Sequence, residues 1–80
     1  MEKTIRISFN RDFISLAAIK KGVRDFRRAC DCAVSRGGKR LGVALYNFDD
    51  EKAETLGDEF SNYVLFIETT RRRAKGSANT

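Results

Sequence analysis

Eighty residues make one small domain with a thin core, since a chain of this size buries only about 60 % of its unfolded surface. Histidine is absent and there are two cysteines, which excludes Ser-His-Asp and Cys-His catalysis, His-ligated metals, four-thiolate zinc and an unaided iron–sulfur cluster. The net charge of +5 is unevenly placed: residues 1–40 carry 11 Lys/Arg against 4 Asp/Glu, residues 41–70 carry one lysine against 7 acids, and Arg71, Arg72, Arg73 and Lys75 follow.

Thr4 to Phe9 alternates polar and apolar, which predicts a strand with Ile5, Ile7 and Phe9 on its buried face. Ser15 suits an N-cap, because its hydroxyl can accept from the free amides of a first helical turn. Beyond it Leu16, Ile19, Val23, Phe26 and Cys30 recur at helical spacing and predict one buried face. Lys20, Lys21, Arg24, Arg27 and Arg28 lie away from that face as a basic surface. Gly22 weakens the helix by about 1 kcal/mol relative to alanine and would permit close packing.

Cys30 and Cys32 have C-x-C spacing, which is neither the redox C-x-x-C motif nor a common metal signature. Small buried side chains at an element junction are expected. Cys32-Ala33-Val34 begins a second strand, and Gly37-Gly38 suits a tight hairpin turn. A glycine loop flanked by Arg36 and Lys39 also suggests phosphate contact, but it lacks phosphate-loop spacing and no helix follows directly. Arg40 to Phe48 forms the third strand, with Leu41, Val43 and Leu45 toward the core. Tyr46 and Phe48 are expected on the opposite face, covered by a terminal segment or partner in preference to stacking on bases.

Asp49-Asp50-Glu51 complements the dipole at a helix start, with no catalytic or metal role expected. Leu56, Phe60, Val64 and Ile67 continue at helical spacing. The stretch Tyr63 to Thr70 has strand propensity but stays in helical phase, and a helix is expected. In that helix Leu56, Phe60, Tyr63 and Ile67 cluster while Leu65 projects away from them. Leu65 and Phe66, with Tyr63, then form an outer apolar patch.

The order β-α-β-β-α predicts an α+β two-layer sandwich over residues 1–73: a three-stranded antiparallel sheet in the order 1-3-2, with two helices on one face. Residues 74–80 are small and polar and read as a flexible tail. Strands one and two are edges, open to strand addition by a peptide. No signal peptide and no bilayer-length apolar run is visible, so a cytoplasmic protein with reduced thiols and no membrane contact is expected. The basic total draws nucleic acid or acidic partners, while the acidic block from Asp49 to Glu59 favours a bipolar molecule docking in one orientation.

The stretch Ile14-Ser15-Leu16-Ala17-Ala18-Ile19-Lys20-Lys21-Gly22-Val23-Arg24-Asp25-Phe26 resembles the first-helix segment of the HxsD family, named for the His-Xaa-Ser peptide-modification system. Glu59-Phe60-Ser61-Asn62-Tyr63-Val64-Leu65-Phe66-Ile67-Glu68 is similar to that family's last helix at Phe60, Asn62 and Leu65, and departs from it at Ser61, Tyr63 and Phe66. The resemblance covers roughly residues 4–72. It implies a non-enzymatic accessory protein without a cofactor, acting in maturation of a ribosomally made peptide. Its expected partners are a radical S-adenosylmethionine enzyme, the precursor peptide, or both. The expected partner surface is Asn62, Tyr63, Leu65 and Phe66, and the expected peptide edge is Thr4, Ile5, Arg6, Ile7 and Ser8. A homodimer is the competing account of the same apolar surface. A small basic nucleic-acid-binding protein is the alternative, with Lys20, Lys21, Arg24, Arg27 and Arg28 facing phosphates.

Overall fold

The central strand of the sheet carries the clearest alternation in the chain. In the structure, a computed structural model that describes residues 3–78 and the side chains of 3–73, β1 is Ile5–Asn10, β2 is Asp31–Gly37 and β3 is Arg40–Tyr46. The order is β1-β3-β2 and both pairings are antiparallel. Ile5, Ile7 and Phe9 pair with Leu45, Val43 and Leu41, so all six share the core face. Arg6, Ser8, Ala33, Ser35, Gly42 and Ala44 occupy the other face, which no helix covers among the described residues. This is the expected α+β arrangement.

Gly37 pairs with Arg40, leaving Gly38-Lys39 as a two-residue hairpin loop. Gly38 takes φ +39 and Lys39 does not take a positive φ, which fits a II′ turn with glycine in its first central position. Arg11 holds this loop from outside: its amide donates to the Lys39 carbonyl at 2.9 Å and its Nη1 to the Gly38 carbonyl at 3.0 Å.

Helix α1, Leu16–Asp25, starts as expected at Ser15, whose hydroxyl accepts from the Ala18 amide at 3.2 Å. Its packing face differs from the expected one. Ala18, Ile19 and Gly22 are buried, whereas Leu16, Val23 and Phe26 are half-buried at the margin. The cause is helix α2, Ala53–Ala78, which crosses α1 so closely that a Cβ on Gly22 would stand 2.9 Å from Cγ2 of Val64. Small residues one turn apart make that approach possible. Helix α1 also stops short of Cys30, because Phe26 caps it and the amides of Ala29 and Cys30 turn back to the Phe26 carbonyl. Cys30 is buried in the junction between α1 and β2.

Phe48 is a second correction. Asn47 has φ +55, which ends β3 and breaks the alternation, so Phe48 swings back against the core instead of sharing a face with Tyr46. The Asn47 side-chain amide donates to Asp31 at 2.7 Å and fixes this turn. A single 3₁₀ turn, Asp50–Lys52, leads into α2. There Leu56, Phe60, Val64 and Ile67 are buried, and Tyr63, expected among them, is half-buried. The Phe60 ring sits edge-on to Phe26, with centroids 5.2 Å apart, and 6.4 Å from Phe9, joining both helices to β1. Tyr63 to Thr70 is helical throughout. The tail expected at 74–80 lies outside the residues whose side chains are described.

Candidate interaction surfaces

The five expected cations, Lys20, Lys21 and Arg24 on α1 and Arg27 and Arg28 in the turn after it, are all exposed, and none makes a side-chain hydrogen bond or ion pair among the described residues. They do not form one patch. Lys20, Arg24 and Arg27 line a groove of about 250 Å³ between α1 and β2, floored by Val23 and Val34. Lys21 stands on the opposite flank of α1, beside Tyr63, Phe66 and Arg71 of α2. Arg28 lies at the far end, near Lys52 and Glu59.

The two sheet edges are unlike each other. Along β1, helix α2 rests against the strand, and a Cβ on Gly57 would lie 3.1 Å from Cγ2 of Ile5. The expected peptide edge therefore has Ile5 and Ile7 half-buried, Arg6 and Ser8 exposed, and Thr4 just before the strand. Along β2 every residue is exposed except Cys32, which is half-buried. Val34 is 37 % exposed although its register places it on the core face.

The expected partner surface is split. Leu65 is 50 % and Phe66 64 % exposed, and both project from α2 as expected. Phe66 lies on the α1 side beside Lys21. Leu65, one residue earlier, projects about 100° round the helix from Phe66. Tyr63 belongs to the packing: its ring is 5.6 Å from that of Phe26, and its hydroxyl donates to Asp25. That bond holds the phenol proton and pushes its pKa up. Asn62 is exposed.

One constellation escaped the sequence reading. Glu68 is only 8 % exposed, and its Oε1 accepts from the Ser15 amide at 2.7 Å. Its Oε2 meets Arg72 Nε at 3.2 Å, Arg71 Nη1 donates to Ser15 Oγ at 2.6 Å, and Arg72 Nη2 donates to the Phe13 carbonyl at 2.7 Å. The Ser15 amide, foremost, holds the Glu68 carboxyl below its ordinary range in spite of burial. A capping box normally draws its acid from the third helical position. Here that position is Ala18, and Glu68 supplies the carboxylate from another helix. The missing acid three residues after Ser15 was the available signal. Arg71 and Arg72 thus have structural work, and Arg71 also stands beside Lys21.

Cys30 and Cys32 are free thiols with sulfurs 3.8 Å apart. Burial raises both, Cys32 to about 12. Among the described residues no three of His, Cys, Asp and Glu gather as a metal site, and no helix is long and apolar enough to cross a membrane. No protein-family model, curated protein or solved structure matches the chain.

Proposed function

We propose that this protein is a non-catalytic recognition subunit in maturation of a ribosomally synthesised peptide, working in the cytoplasm. It holds the precursor peptide on an open sheet edge and meets a radical S-adenosylmethionine enzyme through α2. The HxsD-like segments Ile14–Phe26 and Glu59–Glu68 suggest the system. The observation that carries the recognition role is the three-stranded sheet with both outer edges free of partner strands among the described residues. Exposed Phe13, Leu65 and Phe66 supply apolar contact area beyond the edges. Size-exclusion chromatography of the protein mixed with a radical S-adenosylmethionine enzyme and a precursor peptide of a His-Xaa-Ser system should show co-elution. A protein that elutes alone as a homodimer and leaves both unbound overturns the reading.

Nucleic-acid binding is kept as a second reading because Lys20, Arg24 and Arg27 are unneutralised along one stripe. It expects single-stranded or duplex DNA or RNA to bind with affinity falling steeply as salt rises.

A further inference from the structure

We propose that the groove between α1 and β2 accepts an acidic, extended polypeptide as a fourth strand. This deepens the recognition role just described, rests on it, and is independent of its place in peptide maturation. Three observations converge on the groove. β2 is a seven-residue edge strand, and nearly all of it is exposed. Register with β3 across the two-residue loop alternates the backbone groups, so those of Cys32, Val34 and Arg36 turn toward the free edge. The same three side chains face the helix layer, where Val34 stays 37 % exposed in the groove beside Val23.

Charge selects the occupant. Lys20 and Arg24 lie one turn apart on α1, Arg27 follows in the turn just past its cap, and the three form a basic stripe along the groove. An added strand sends alternate side chains toward that stripe at intervals of about 7 Å. Two carboxylates two residues apart therefore reach the cations while the neighbouring backbone pairs with β2. Arg36, on the same face of β2, extends the positive field.

A second copy of this chain does not fit. Antiparallel pairing of β2 with another β2 brings two stripes of like charge together across the junction. The acids of the chain from Asp50 to Glu59 are already folded into the 3₁₀ turn and α2. A nucleic-acid strand fits less well than a peptide, because the groove is floored by valines and no aromatic ring lines it for base stacking.

The probe is a dye-labelled peptide of alternating glutamate and valine, about eight residues long, followed by fluorescence anisotropy with the whole protein. Binding should weaken at least about tenfold in the Arg24→Glu, Arg27→Glu double variant, and a glutamine-for-glutamate peptide should bind at least about tenfold more weakly. N-methylation of alternate peptide residues removes backbone donors without touching the protein and should abolish binding. Val34→Pro should do the same with unchanged circular dichroism, since that amide points outward. Equal affinity for the glutamine peptide, an undiminished double variant, or full binding of the N-methylated peptide overturns the proposal. So does a single-stranded oligonucleotide of equal charge that outcompetes the peptide. Capture of the glutamate peptide by a protein that ignores the precursor and the radical enzyme would keep this site and reject the maturation role. Capture of the precursor with no affinity for the glutamate peptide would reject this site alone.

Discussion

Glu68 does for α1 what an acid within α1 ordinarily does, and its protonation state therefore enters folding. Its folded pKa lies below the ordinary value of 4.5. The stabilisation is present above that ordinary value and is lost as pH falls through the folded one. Glu68→Gln should cost about 1–2 kcal/mol near neutral pH, and its urea midpoint should fall less than the parent's between about pH 5 and pH 3. Parallel acid profiles for the two proteins would contradict this. Gly22 sits where α1 meets Val64, whose β-branched side chain cannot rotate away easily. Gly22→Ala should therefore destabilise by about 1–3 kcal/mol, outweighing the gain of about 1 kcal/mol in helix propensity. With Cys32 near 12, its thiolate fraction at about pH 8 is of order 10⁻⁴, against about a quarter for a free cysteine. Alkylation by iodoacetamide should be slow in the folded protein and fast in urea.

Within α2, residues little more than a turn apart have opposite fates. Leu65→Asp should shift stability by less than about 0.5 kcal/mol, because half of that side chain already faces water. Phe60→Ala, one and a half turns earlier, should cost about 3–5 kcal/mol, since its ring bridges both helices and β1. Thermal melting of the two variants checks this contrast. The helix was legible in Leu56, Phe60, Val64 and Ile67 despite the strand propensity of Tyr63 to Ile67, because phase over several turns outweighs local preference. β1 and β3 were legible for the same reason in period two. The packing face of α1 was not, since large residues mark spacing while the crossing uses Ala18 and Gly22. Phe48 was misplaced because one positive φ at Asn47 resets the alternation. The α1 charges could be counted from the sequence, but their division among three surroundings depends on where β2 and α2 lie. The link from Ser15 to Glu68 spans 53 residues and no local pattern reaches that far.

Taken whole, the molecule is a sheet with one protected strand and two margins of different character. β3 is paired on both sides, α2 lies along β1, and β2 stands clear. Hydrogen exchange should reflect this: amides of β3 slowest, and in β2 a fast-slow alternation, with Cys32, Val34 and Arg36 fast and Ala33 and Ser35 slow. Uniform protection along β2 would show that its edge is already covered. The cap on α1 reaches further still, into how the chain is made. A ribosome delivers the N-terminal part first, at about 5–20 residues per second. The first helix waits for Glu68, Arg71 and Arg72, and Glu68 emerges 53 residues after the Ser15 that it caps. A nascent chain thus cannot finish this domain early. Messages cut short of Glu68 should yield products that remain open to proteases, so that only translation past Arg72 releases a protected fold.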